Sequence, residues 1–272
     1  MQDACLRQSA IREERSTVRN RAANFTRPWT GRNGVQVGTI CELWRYPVSS
    51  LTGEKLDAVD LDGTGVAGDR QWGLFDAGSA DVAAPESERR WRPVPGLRSR
   101  MAAEGPQVSR DGAVWHAMPS PDADRTASEH LDFPVRFQRF GEADAAPRYD
   151  RGHLHILTTG SLARLQALLP TAVIDTRRFR PNILVETAAG DVDFVEQRLI
   201  GKRLTIGDAV VEITEPCTRC AFTALGQPDL PFDKDVLNAI AKHGGGGFGV
   251  LAKVVTARRI ASGDAVSVEQ SY

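Results

Sequence analysis

The sequence predicts a β-rich α+β fold: two barrel-like β domains with a few peripheral helices. Short runs of β-forming residues recur along the chain, most of them bounded by glycine, proline or aspartate. Helical spacing of apolar residues is seen in only two segments, both in the second half. The 272 residues are enough for one large or two medium domains, and many short strands with few helices favour barrel-like sheets.

Order is expected from about Gly38. Residues 1–35 are polar and arginine-rich without an apolar signal core, and read as a disordered extension. Residues 39–46 are rich in β-formers and stop at Pro47. Residues 55–61 read as a second strand, turned by Asp62, Gly63, Thr64 and Gly65. Residues 69–75 alternate, which puts Arg70, Trp72 and Leu74 on one face. Residues 77–88 have loop composition, and short strands without a convincing helix continue to about Arg139. A first β domain is thus expected over 36–140 and a linker over 141–150.

The second domain is expected over 151–272. Residues 153–158 read as a strand, and Ser161 can cap a helix carrying Leu162, Leu165, Leu168 and Leu169. Residues 182–186 form another strand, and 204–206 and 209–214 follow, the last alternating toward a CxxC pair. Residues 231–242 predict a short amphipathic helix ended by Gly244. Residues 248–257 and 265–268 supply closing strands.

Composition narrows the function classes. A formal net charge of −1 gives no bulk attraction to nucleic acid or anionic membrane. No stretch approaches the roughly 18–20 apolar residues that span a bilayer. Four cysteines (Cys5, Cys41, Cys217 and Cys220) are too few for a disulfide scaffold of this length, so a cytoplasmic protein is expected.

The chemistry concentrates in two segments. Cys217 and Cys220 form a CxxC with Arg219 between them, a cation that favours the thiolate. Metal or cofactor ligation, redox or sulfur transfer, and an incidental pair all remain open on spacing alone. A structural zinc site lacks its other two ligands, and the strand context is wrong for a thioredoxin-like dithiol. Upstream, Arg177, Arg178 and Arg180 precede Asn182. Pro181 favours an extended Arg180, which would set Arg180 and Asn182 on one side, suited to phosphate or a heterocycle edge. Thr159 and Ser161 open a helix whose N-terminus could accept an anion. The glycine run 244–247 lacks the P-loop pattern, and His153 and His155 read as structural.

Together these motifs resemble the MOSC family, named for the molybdenum-cofactor sulfurase C-terminal domain. The resemblance rests on Arg180-Pro-Asn-Ile183, the turn at 204–208, Pro216-Cys-Thr-Arg-Cys220, and Phe248-Gly249 leading to Ser262-Gly263-Asp264. The first half, with residues 43–48 and 68–72, is similar to the β-barrel domain preceding MOSC in amidoxime-reducing proteins. The resemblance implies that Cys220 is the thiolate ligand of molybdenum in a Mo-molybdopterin cofactor. It implies that Arg180, Asn182, Thr218 and Arg219 hold the pterin and its phosphate, with Arg70, Ser49, Ser50, Thr159 and Ser161 around the same pocket. Relatives often carry lysine where this chain has Ser49, so Arg45 or Lys55 would have to supply that cation.

The function so implied is reduction of N-hydroxylated small molecules, with electrons from a separate reductase and no nucleic-acid or membrane partner. A carrier of sulfur or of the cofactor, using a Cys220 persulfide that Cys217 resolves, is the alternative. A barrel that has lost its cofactor is a third reading.

Overall fold

The computed structural model describes residues 34–142 and 152–269. The expected extension and linker lie almost wholly outside these residues. In the first half run β1 (Gly34–Arg45), β2 (Glu54–Leu56), β3 (Ala58–Asp62), β4 (Gly65–Val66) and β5 (Trp72–Asp76). They are followed by β6 (Arg98–Ala102), β7 (Gly105–Ser109), β8 (His116–Ala117), α1 (Pro121–Leu131) and β9 (Val135–Arg139). The second half opens with β10 (Leu154–Thr158), α2 (Thr159–Leu168), β11 (Ile183–Glu186), β12 (Arg203–Ile206) and β13 (Ala209–Thr218). It ends with α3 (Lys234–His243), β14 (Gly247–Thr256), β15 (Arg259–Ala261) and β16 (Ala265–Glu269).

Seven strands close a barrel in the order β11-β10-β14-β13-β12-β16-β1, with β1 pairing back onto β11. Only β10 and β11 among these neighbours run parallel, joined through α2. Alternation drives the closure: in β13, Ala209, Val211 and Ile213 are buried while Val210 and Glu212 are half-buried. Their partners inside are Ile40, Leu43, Ile156, Ile183, Leu204, Val250 and Val266. Each such buried aliphatic side chain contributes about 1.5–3 kcal/mol by leaving water.

A second core gathers Leu74, Trp91, Leu97, Val108 and Phe137 beneath α1. Its sheets are small, β5-β9 and β6-β7-β8. A third cluster packs α2 and α3 on the barrel through Leu165, Phe179, Val236, Ile240 and Phe248.

Several sequence expectations need correction. The expected boundary does not partition the strands, because β1 belongs to the barrel of the second half and β3 pairs with β15. Residues 55–61 are not one strand but bend at Asp57 between β2 and β3. The strand expected from Asp69 begins only at Trp72, since Arg70 turns with φ 50°. Helix α1 was not expected. Its buried face is Ala123, Ala127 and Leu131, too small to register as a stripe, though Ser120 caps it and Pro121 opens it. The cap of α2 is Thr158, whose side chain accepts from Ser161 N–H.

Candidate functional site

A cleft of about 510 Å³ is lined from both halves of the chain. Its base is the end of β13. The pairing of β13 with β14 slips between Pro216 and Thr218, so Cys217 sits at an irregularity that re-aims side chains. Arg219 is then pinned by three contacts. Its N–H donates to Gly246 O at 2.9 Å. Its Nη2 donates to Phe179 O at 2.7 Å and its Nη1 to Cys217 Sγ at 3.0 Å. Cys220 caps the short 3-10 turn Ala221–Ala224 in extended backbone, and its carbonyl accepts from Thr223 N–H at 3.1 Å. The residue is exposed to the cleft.

The two thiols differ electrostatically. Burial pushes Cys217 up, but the charges of His155 and Arg219 and their hydrogen bonds outweigh it, bringing the thiol down to about 6. Cys220 goes the other way. Desolvation in the cleft raises its thiol, against the pull of the Phe222 N–H and Arg219.

Opposite lies a network centred on Tyr46. The Arg180 guanidinium lies 4.1 Å from the Tyr46 ring centroid and that of Arg70 lies 4.9 Å from it. Burial of the ring pushes the Tyr46 hydroxyl up, and the hydroxyl donates to Pro181 O at 3.2 Å. Arg70 donates to Asn182 Oδ1 at 3.2 Å and to Arg180 O at 3.0 Å, and pairs with Asp69. Arg180 donates to Leu51 O. Arg180 has φ 55°, so it is left-handed rather than extended, and the same-side argument from Pro181 does not hold.

Cys220, Arg180, Asn182, Thr218, Arg219, Arg70 and Ser49 all line the cleft. Asn182 differs in what it does there. Its amide donates to Asp69 Oδ2 at 3.0 Å and to Trp44 O at 3.3 Å, and accepts from His155 N–H at 3.1 Å. With Arg70 as a fourth partner, the carboxamide is committed within the protein.

Ser50, Thr159 and Ser161 do not line the cleft. Ser50 is buried behind Ser49, with an Oγ that has no partner. Ser161 donates to the buried Glu196, and Thr159 meets Thr187, so the expected anion site at this helix start is filled by the protein's own groups. Arg177 is paired with Asp175, and Arg178 is wholly buried, donating to Val173 O and Pro231 O. Neither Arg45 nor Lys55 reaches the cleft to replace the expected lysine. They pair with Glu54 and Glu42, each at 2.8 Å.

The sequence reading missed Arg139, Gln71 and Phe140 in the lining, while His153 and His155, read as structural, are satisfied within the fold by Val254 N–H at 3.2 Å and Phe248 O at 3.3 Å and also line the cleft. Arg139 donates to Gln71 Oε1 at 3.2 Å. No linear signal marks these residues. His155 lies opposite Leu251 of β14, and β14 in turn pairs with the Cys217 strand, so only the topology brings them together.

These groups fit a metal carried on an anionic organic cofactor. Among the described residues no group of three His, Cys, Asp or Glu is placed to hold a metal ion. Cys220 could therefore give one thiolate to a metal that brings its remaining ligands with it. The buried Nε of Arg219 has no partner within the protein, and a donor left so needs an acceptor from elsewhere.

Residues 147–267 match the family model of the MOSC domain. No curated protein matches the chain. Among solved structures, the chain is similar to the YuaD protein from Bacillus subtilis at 13% identity and TM-score 0.46, covering 85% of this chain and 95% of that one. It is also similar to YiiM from Escherichia coli at 14% identity and TM-score 0.34, covering 44% and 56%. YiiM from Geobacillus stearothermophilus gives 16% and 0.33, covering 44% and 55%. Residues 147–267 of this chain are a MOSC domain, the type named for the C-terminal domain of molybdenum-cofactor sulfurase.

Proposed function

We propose that this protein is a molybdenum-cofactor-binding oxidoreductase that reduces N-hydroxylated compounds with electrons from a separate reductase. The observation that carries the reading is Cys220, an exposed thiol in a cleft lined by Arg70, Arg139, Arg180 and Arg219. Cys220 would ligate the metal. Arg180, Arg219 and Arg70 would bind the cofactor phosphate, and the Thr218 and Ser49 hydroxyls would orient it. Asn182 would act indirectly, by holding Arg70 and Asp69 in place. When bound, the cofactor supplies two-electron oxygen-atom chemistry, and the protein supplies orientation and electrostatics. Arg139 and Gln71, which also line the cleft, would offer polar contacts to a small substrate. No helix among the described residues is long and apolar enough to cross a membrane.

The test is molybdenum content and N-reductive activity of protein made in a cofactor-competent host. Stoichiometric molybdenum in the parent protein, lost in Cys220→Ala, is the expected result. Retention of metal and activity by Cys220→Ala overturns the reading.

A further inference from the structure

Cys217 is a second thiol of the cleft, and the proposed chemistry leaves it unused. Its setting is built. Arg219 Nη1 donates to the sulfur at 3.0 Å, and His155, which lines the same cleft, is near enough for its charge to lower the thiol. His155 is buried, its Nε2 3.3 Å from Phe248 O, and Gly249 closes so tightly on the ring that a Cβ there would lie 2.1 Å from Nε2. The imidazole therefore has little freedom to leave the thiol. The charge balance of the cleft is also one-sided. Its four arginines and two histidines face a single acidic residue, Asp69, which Arg70 already pairs.

We propose that Cys217, held by His155 and Arg219, is a thiolation site that takes a small anionic disulfide from solution as a mixed disulfide inside the cleft. The attraction is between the carboxylates of such a disulfide and the guanidinium groups of the walls. The Cys217 sulfur attacks one sulfur of R–S–S–R. One S–S bond forms, the original one breaks, and R–S⁻ leaves with the electron pair and is protonated by solvent. Cys217 passes from thiol to disulfide level while the departing half is reduced to a thiol, so no further oxidant is needed. The low-lying Cys217 thiol supports this assignment over Cys220, whose thiol is raised: near neutral pH Cys217 is mostly the nucleophilic thiolate. The adduct would fill the cleft. Its effect on cofactor loading rests on the function proposed above, but the thiolation does not.

The experiment uses the full chain from a host that cannot make the cofactor, treated with glutathione disulfide and peptide-mapped by mass spectrometry. The expected product is a glutathionyl adduct on Cys217, formed several-fold faster than on Cys220. Iodoacetamide alkylation of Cys217 should be half-maximal near pH 6. In His155→Gln that midpoint should move up and thiolation near neutral pH should slow several-fold. Cys220→Ser should thiolate at the parental rate. Preferential modification of Cys220, a Cys217–Cys220 disulfide, or a Cys217 midpoint at the ordinary thiol value of about 8.5 overturns the proposal. None of these readouts requires molybdenum, so a failure to bind the cofactor is separately visible.

Discussion

Ser50, Arg70 and Arg180 hold φ values of 69°, 50° and 55°, in the left-handed region that non-glycine residues rarely enter. Ser49 beside the first of them, and the other two themselves, line the cleft. Strain of this kind persists only where the surroundings over-determine it. At Arg180 they do: its N–H donates to Thr176 O at 3.2 Å and its carbonyl accepts from Arg70 at 3.0 Å. The local preference of a residue before proline is overruled by these bonds, which is why the chain sequence misleads at that residue. Asn182 is the hub that makes them coherent. Asn182→Ala would strip partners from Asp69, Arg70, Trp44 O and His155 N–H at a fully buried position. We expect a loss of about 2–4 kcal/mol in unfolding free energy, read by denaturant titration. A loss of under about 0.5 kcal/mol would mean that water replaces the amide at little cost.

At the scale of elements, the buried Glu196 ties the start of α2 to β14. Its carboxylate accepts from Ser161 Oγ, from Thr158 Oγ1 at 2.6 Å and from Gly249 N–H at 3.0 Å. Burial pushes the carboxyl up, against the pull of those hydrogen bonds. The fold therefore favours the protonated form. Its contribution to stability is complete below the ordinary carboxyl value of about 4.3 and is lost as pH rises through the folded value. Glu196→Gln is neutral throughout, so its stability relative to the parent should rise over that pH range, checked by paired melts. Gly249, at φ 81° and placed so that a Cβ would lie 2.1 Å from His155 Nε2, is the companion test. Gly249→Ala combines backbone strain with a clash against a buried ring, and should destabilise by about 2 kcal/mol or more. It should also raise the pH midpoint of Cys217 alkylation by dislodging His155. Strand and helix existence at this scale was largely legible, because β12 and β13 alternate, β10 and β11 are short runs of mostly apolar residues, and α3 carries Val236 and Ile240 on one face. Legibility failed where the signal was small, as in the alanine face of α1, or where a polar side chain faced inward. The Thr158 to Ser161 stretch read as an anion site because the sequence does not show Glu196 already there.

For the whole molecule, the decisive feature is how the barrel closes. The MOSC match spans 147–267, yet the ring of strands is completed by β1, which lies more than a hundred residues earlier. β1 pairs with β16 over Gly34–Thr39 and with β11 over Thr39–Leu43. Ile40 and Leu43 from the same strand point into the core. The sequence hid this because composition marks a linker at 141–150, whereas strand order is set by pairing partners that composition does not encode. Removing β1 would expose two unpaired edges, on β16 and β11, together with the aliphatic core between them. A fragment comprising 152–272 alone should therefore fail to unfold cooperatively and should aggregate, although it contains most of the matched domain. Closure is also sensitive to a single backbone approach. A Cβ at Gly38 would lie 2.0 Å from Glu186 O, so Gly38→Val in the full chain should act as a milder form of the truncation. Circular dichroism melts of the parent, the fragment and the variant settle the matter. A fragment with a sharp transition near that of the parent would show that the barrel closes without β1, by pairing β16 directly to β11.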